Sequence, residues 1–450
     1  MKHVLLTLTV LLAALTATAH EADNDTAKAV RKVTVKPYGF VRNYLTFDSR
    51  KTYTVVGGEY NMQPYDEEWN ITQAQADATG LERADLNAVP SMQLQALTTR
   101  FGLNISGPGL LGCSSSTGKI EGDFGGFGTN NTVLRLRLAY VRLNWQRTIL
   151  LIGQDWHPMS GSVMPNVLGM AAGAPFRPHS RTPQIRYEYH NGKGMELSAA
   201  LLWQLQYMHN GPSYSNGQWS SVASTSYTHN ALVPEGFLGI GYRSEHIFMQ
   251  AGVDVQTLRP RTYGFRTVDS VEYRVPVNEI FTSASPTLYC QYKADAFELK
   301  FRTLYAQNTS HLNQLCGYAV SAANEDGSWQ YAPMRASISF LGLSYGKTWR
   351  GDLFLGYMKN LGTGTELHNF GTAAKPQYYI FSKGDFTNIN SIYRLATNIS
   401  YNVKAFGIGL EYEYTVATYG AVGSDGSVLK DERLHPAANH RVCCMVKYSF

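Results

Sequence analysis

The chain has 450 residues, of which 44% are hydrophobic and 16% are charged, and it contains 41 glycines and 29 tyrosines. Its net charge of +5 is too small to indicate a nucleic-acid partner. The five cysteines show neither the spacing of metal ligands nor a dense disulfide framework, so the sequence predicts no cofactor and no metal site.

The first predicted element is a signal peptide over residues 1–19. A lysine precedes an apolar run over residues 4–15, and Ala17 and Ala19 form a small-x-small cleavage site. A short periplasmic leader, residues 20–32, then precedes the first strand. The apolar run is too short to cross a bilayer as a helix, and no later stretch reaches the roughly eighteen apolar residues that a helix needs. The sequence therefore argues against a helical membrane protein.

The rest of the chain, residues 33–450, contains about sixteen segments in which apolar and polar positions alternate, as in strands with one apolar face. These segments are 33–47, 91–106, 117–127, 132–145, 148–154, 184–190, 195–207, 230–243, 246–258, 286–293, 297–307, 335–345, 348–358, 389–403, 405–419 and 440–450. Tight turns alternate with long polar connections, as in barrels with short periplasmic turns and long outside loops. The sequence predicts an all-β fold, a transmembrane antiparallel β-barrel of about sixteen strands.

The last predicted strand has one apolar face. The residues that share it are Val442, Cys444, Val446, Tyr448 and Phe450. A soluble β-sandwich could also end on such a strand. The strand resembles, however, the C-terminal strand of bacterial outer-membrane proteins, which ends in an aromatic residue that the barrel-assembly machinery recognises. This resemblance implies a location in the bacterial outer membrane, with outer-membrane lipids around the barrel.

Four short motifs carry a second resemblance. The chain reads YGFVR at residues 38–42, IEGDF at 120–124, GQDW at 153–156 and RTPQIRY at 181–187. These motifs are similar to those of the DcaP-type branch of the trimeric, sixteen-stranded porins. Two departures are a leader that is short for the periplasmic helix of some members and an unusually long first outside loop, at about 48–90.

A barrel of this size leaves a water-filled lumen. The DcaP-type resemblance implies that the third outside loop, at about residues 155–183, folds inward and sets the constriction, and that the chain forms a homotrimer. Between Asp155 and Arg186 the chain carries three arginines, Arg177, Arg181 and Arg186, against a single acid, Asp155. A guanidinium stays charged and recognises carboxylates or phosphates bidentately.

The wall opposite this loop adds further charges. Alternation on the fourth strand predicts that Arg135 and Arg137 point into the lumen and that the intervening side chains face lipid. The residues predicted to face lipid are Leu134, Leu136, Leu138 and Tyr140. Glu121 and Asp123 share one face of the neighbouring strand. Either the arginines enrich anions in the pore, or the acids neutralise them as salt bridges in the wall. The candidate constriction residues are Glu121, Asp123, Arg135, Arg137, Asp155, Arg177, Arg181 and Arg186.

The predicted function is that of a porin, a water-filled channel for the diffusion of small hydrophilic, anionic solutes. Two alternatives are a channel specific for an oligosaccharide or a hydrophobic compound, with Trp156 and Phe176 as stacking residues, and a non-channel adhesin. No enzymatic activity is predicted, because the histidines occur singly and no His-Glu-x-x-His motif is present. The acidic run at residues 66–68 lacks the ligand spacing of a dedicated calcium site.

Overall fold

The computed structural model describes residues 32–450, apart from 56, 57, 59, 127–129, 131, 162, 169–172 and 385. The predicted signal peptide, residues 1–19, and nearly all of the leader, residues 20–32, lie outside this part of the chain. No helix among the described residues is long and apolar enough to cross a membrane.

Sixteen antiparallel strands form one closed barrel, which confirms the predicted fold. The strands are β1 (Thr34–Asp48), β2 (Ser91–Gln95 and Arg100–Gly107), β3 (Ser115–Asp123), β4 (Arg135–Asn144), β5 (Thr148–Trp156), β6 (Arg181–His190), β7 (Met195–Leu202), β8 (Glu235–Arg243), β9 (Ile247–Leu258), β10 (Phe281–Ala294), β11 (Phe297–Gln307), β12 (Arg335–Gly346), β13 (Trp349–Asn360), β14 (Ile389–Val403), β15 (Phe406–Tyr419) and β16 (His435–Ser449). Four irregular residues interrupt β2, and both of its parts pair with β1. The pairing of β1 with β16, from Phe40 opposite Ser449 to Asp48 opposite Arg441, closes the barrel.

The outside loops contain the remaining elements. Helix α1 (Gln73–Thr79) begins with a capping box between Thr72 and Gln75, and helix α2 (Ser226–His229) is a single turn. Two 3-10 turns and four small sheets complete the loops. These are the turns Ser310–Leu312 and Phe386–Asn388, the hairpins Thr52–Val55 with Tyr60–Pro64, His209–Ser215 with Gln218–Ser224, and Tyr263–Val268 with Val271–Pro276, and the sheet of Tyr318–Ala323, Trp329–Pro333 and Ile380–Phe381.

The two faces of the wall differ as alternation predicts. On β15, Leu410 is 49% exposed on the outside, whereas Glu411 is only 3% exposed on the inside. Apolar side chains are exposed on the outer face all around the barrel. Examples are Val41, Leu94, Leu103, Ile120, Val141, Ile152, Leu197, Leu238, Val255, Leu288, Leu355, Ile399, Leu410 and Val446. A continuous apolar belt of this extent suits hydrocarbon rather than water.

The predicted faces are wrong along part of β4. Leu138 pairs with Glu121 and Leu136 pairs with Gly122, so Arg137 is the extra residue of a β-bulge on β4. Arg135 and Arg137 both point inward as predicted, but the alternation changes after them. Leu138 is 4% exposed and Val141 is 54% exposed. Tyr140, expected against lipid, lies within electrostatic range of Asp155 and Glu121 in the lumen. The extra residue of a bulge exchanges the two faces beyond it.

The main apolar core lies inside the outer half of the barrel, where three outside loops meet the wall. Tyr60 and Met62 of the first loop, Phe176 of the third and Leu312 of the sixth are each no more than 1% exposed. They belong to one cluster with wall residues such as Phe354. The sequence did not predict that the first loop folds inward. The outer half of the lumen is therefore packed with side chains.

We expect the chain to fail to close if residues 448–450 are deleted. Phe450 and Gly39 exchange two backbone hydrogen bonds of 3.0 Å each, and a Cβ on Gly39 would lie 2.5 Å from the Phe450 ring. The deletion and Gly39→Val should both lower the fraction of heat-modifiable barrel in unheated SDS gels. Gly236→Ala is the control, because a Cβ there meets no atom within 4 Å. Normal insertion of the truncated chain would show that this contact is dispensable.

Candidate functional site: the channel constriction

The third loop, residues 157–180, leaves β5, folds into the barrel and returns to β6. Arg302 of β11 donates to the carbonyl oxygens of Met159 and Ser160, the latter at 3.0 Å. Arg394 of β14 donates to the carbonyl of Ala174 at 2.6 Å. Hydrogen bonds from two arginines of the wall thus hold the loop across the lumen, in the inward position that the resemblance to the DcaP-type porins implies.

The charges predicted on β3 and β4 form one paired group. Arg135 donates to both carboxylate oxygens of Asp123 at 2.9 Å. Arg137 bridges Glu121 and Asp123, at 2.7 Å from each. Glu121 also accepts a hydrogen bond of 2.8 Å from the Tyr38 hydroxyl. These contacts match the alternative in which the acids pair with the wall arginines.

Arg177 of the third loop and Arg181, the first residue of β6, lie close to this group and are fully buried. Arg177 donates to Nδ1 of His179 at 3.1 Å, and Arg181 donates to the Tyr207 hydroxyl at 2.5 Å. The Trp156 ring lies 5.4 Å from the guanidinium carbon of Arg177 and 4.9 Å from that of Arg181. Stacking on an aromatic face suits a guanidinium that has left bulk water.

Burial also determines the charge of these loop groups. Burial, reinforced by the neighbouring Arg302, lowers the pKa of Arg177 to about 9, which leaves it charged at neutral pH. Burial and the two loop guanidinium groups hold the pKa of His179 well below its usual range. A guanidinium can only donate, so Nδ1 of His179 accepts from Arg177, while its Nε2 lies 2.8 Å from the Tyr60 hydroxyl and 3.5 Å from a guanidinium nitrogen of Arg181. His179 is therefore a neutral link between the first and third loops.

Arg186 and Asp155 are placed apart from the tip of the loop. They form an ion pair of 2.8 Å between neighbouring strands, and Arg186 also contacts Glu188 at 2.9 Å. Both side chains keep some exposure to the lumen. Two of the eight candidate constriction residues, Arg186 and Asp155, therefore lie in the wall below the loop.

Three further lumenal cations were missed by the sequence analysis. Arg42 of β1, Arg100 of β2 and Lys447 of β16 lie on adjacent strands and are partly exposed, and Lys447 lies within electrostatic range of the other two. We call them the seam cluster, because they lie where the first and last strands meet. Arg42 lies opposite Lys447 because of the register in which β1 pairs with β16. No local sequence pattern predicts that register.

The local charge balance is positive. Arg100, Arg135, Arg137 and Arg181 interact electrostatically with the carboxylates of Glu121 and Asp123, and Arg177 interacts with Arg181. Five guanidinium groups thus face two carboxylates. Guanidinium groups can recognise a carboxylate or a phosphate through paired N–H groups.

We expect Asp123→Asn to destabilise the barrel by about 3 kcal/mol, because it leaves the buried Arg135 without the carboxylate that it contacts at 2.9 Å. The midpoint of urea-induced unfolding in lipid vesicles, followed by tryptophan fluorescence, measures this loss. Asp431→Asn serves as the control, since its pair with Arg433 is exposed and should leave the midpoint unchanged. Equal midpoints for wild type and Asp123→Asn would contradict the stabilising role of the pair.

Comparison with known proteins agrees with this architecture. No family model matches the sequence, and no curated protein matches it. Among solved structures, the outer membrane channel DcaP of Acinetobacter baumannii aligns with a TM-score of 0.62 and 18% identity, over 93% of this chain and 97% of that chain. Outer-membrane expressed OmpT of Vibrio cholerae aligns with a TM-score of 0.51 and 11% identity, over 95% of this chain and 100% of that chain. The chain has the fold of the porin-like β-barrels, and its resemblance to the DcaP-type porins is confirmed at the level of the fold.

Proposed function

We propose that this chain is an outer-membrane channel for small hydrophilic solutes and that it prefers anions. The observation that carries the proposal is the excess of guanidinium groups where the third loop meets β2, β3 and β4. A fixed charge in a narrow, water-filled path between walls of low dielectric constant is screened less than a charge on an open surface. Clusters of arginine or lysine are a known means of selecting anions or phosphates in pores.

The seam cluster supports the same direction of selectivity from a more accessible position. Arg42, Arg100 and Lys447 are partly exposed in the lumen, whereas Arg177 and Arg181 are fully buried. Arg100 has one carboxylate at 3.6 Å, that of Glu121, which Arg137 also contacts. An anion in the lumen would therefore meet the seam cluster directly and would experience the loop arginines through their field.

The packed outer half of the lumen favours a second candidate, a channel for one class of substrate. Three loops join there in a common apolar core, which leaves less room than a wide general pore requires. Block of the ionic current by a specific solute would distinguish this candidate from general diffusion. We assign no enzymatic role. The Gly-x-Ser-x-Gly match at residues 342–346 lies in strand β12 and not at a strand-to-helix turn, and the sequence contains no His-Glu-x-x-His motif.

We further propose that the chain assembles as a homotrimer. Strands β3 to β8 are short, with eight to ten residues each, so the barrel wall is low there. Strands β14 to β16 have 14 or 15 residues, so the wall is higher on that side. A low wall suits a side of the barrel that is covered by protein rather than by lipid. The predicted second outside loop, residues 128–131, lies mostly outside the described part of the chain.

The selectivity proposal is tested by reversal potentials in planar bilayers under a salt gradient. Wild type should conduct anions in preference to cations. The double variant Arg177→Gln with Arg181→Gln should move the reversal potential several millivolts or more toward the cation value, because two fixed positive charges are lost near the path.

Lys347→Gln supplies the matched control. It also removes one positive charge, but Lys347 is exposed in the turn between β12 and β13 and pairs with Asp295. Its reversal potential should equal that of wild type. A cation-selective wild type, or a double variant that behaves like the control, would refute the role given to the third loop.

Native mass spectrometry in detergent tests the oligomeric state. We expect a complex of three copies, because the low wall on β3 to β8 needs a covering surface. Adding an aspartate to this wall by Leu238→Asp, where Leu238 is 63% exposed, should shift the population to monomer. A wild type that is monomeric under all mild detergent conditions would contradict the proposal.

A further inference from the structure

Four side chains with metal-ligating atoms meet inside the barrel wall, outside the arginine-rich constriction. They are His157 at the start of the third loop, Glu235 at the start of β8, Asp254 of β9 and His311 in the 3-10 turn of the sixth loop. Each offers one ligand atom, and these atoms lie within 4.8 Å of one another. All four residues are at most 3% exposed. We call them the His–Glu–Asp–His tetrad.

The distances within the tetrad converge on the carboxylates. Nε2 of His157 and Nε2 of His311 lie 2.8 and 2.9 Å from the same oxygen of Glu235. Oδ1 of Asp254 lies 3.8 Å from Nε2 of His157. This buried oxygen has no hydrogen-bond partner. A buried carboxylate oxygen without a partner is costly, so the position calls for a bound cation or a proton.

The charges of the tetrad also favour a bound cation. Among the described residues, no lysine or arginine lies within 4.0 Å of Glu235 or Asp254. The amide N–H of Met159 donates to Nδ1 of His157 at 3.1 Å, which leaves the proton of a neutral imidazole on Nε2. Two buried carboxylates therefore face at most one imidazolium, that of His311. A divalent cation would neutralise this charge, and the ligand set of two imidazoles and two carboxylates suits a transition metal better than calcium.

We propose that His157, Glu235, Asp254 and His311 form a binding site for a divalent transition-metal ion, with Zn²⁺ as the best match. The site would join the third loop, the sixth loop and the wall strands β8 and β9 through one ion. A pocket of about 350 Å³, bordered by Gln204, Glu235 and Gln256, adjoins one of the four ligands, Glu235.

Metal binding has a defined structural consequence at His157. Coordination through Nε2 moves the imidazole proton to Nδ1, so the Met159 amide must give up its hydrogen bond to that nitrogen. The first turn of the third loop would then shift locally. The Met159 amide is therefore a reporter of occupancy that does not depend on conduction.

The test uses the folded, detergent-solubilised protein after treatment with a chelator. Isothermal titration with ZnCl₂ and elemental analysis should give about one tightly bound Zn²⁺ per chain. Asp254→Asn and His311→Ala should each weaken binding more than about tenfold. His246→Ala is the control, since His246 lies in an exposed turn and contacts the Lys293 carbonyl. Heat modifiability establishes that each variant is folded.

Two measurements on wild type alone keep the proposal falsifiable if a variant does not fold. X-ray absorption of the zinc-loaded protein should show two imidazole ligands and oxygen ligands near about 2.0–2.1 Å. Hydrogen exchange at the Met159 amide should accelerate when zinc binds. Absence of stoichiometric binding, a spectrum without imidazole, or equal affinity in folded Asp254→Asn and wild type would each overturn the proposal.

Discussion

The need to pair every backbone N–H and C=O group inside a bilayer governs this structure. The pairing of β1 with β16 meets that need, because it leaves no open edge in the sheet. Once the sheet is closed, side chains on one face meet hydrocarbon and those on the other meet the lumen. The exposed apolar belt and the buried lumenal charges both follow from this division.

The lumenal charges in turn determine the path of the third loop. Arg302 and Arg394 project from strands and cannot be left buried without acceptors. The carbonyl oxygens of residues 159, 160 and 174 supply those acceptors, and the loop gains fixed attachment points far from its ends. Loop and wall thus satisfy each other's polar groups, while Phe176 packs against Phe354 beside them. The constriction is a consequence of this mutual requirement.

The architecture was predictable from the sequence because period-two alternation and turn spacing are local properties. The charged faces of β3 and of the first part of β4 were also predictable. The bulge at Arg137 was not, since the pairing register between β3 and β4 cannot be read from either strand alone. The seam cluster depends on contacts between the two ends of the barrel. The tetrad depends on two loops and two strands whose residues are scattered from 157 to 311. Such arrangements depend on tertiary structure, so the spacing of their residues along the sequence does not reveal them.

The contacts of the first loop have a consequence for the order of folding. The Tyr419 hydroxyl donates to the carbonyl of Pro64 at 2.5 Å, and these two residues are 355 positions apart in the chain. Asn61 and Glu413 are joined across a similar separation. Contacts between residues so far apart in the chain form late in folding, because the conformational entropy of the intervening chain must be lost before the contacts stabilise the fold. The packing of the first loop against β15 therefore requires the C-terminal strands to be in place, and the first loop cannot fill its part of the lumen before they are.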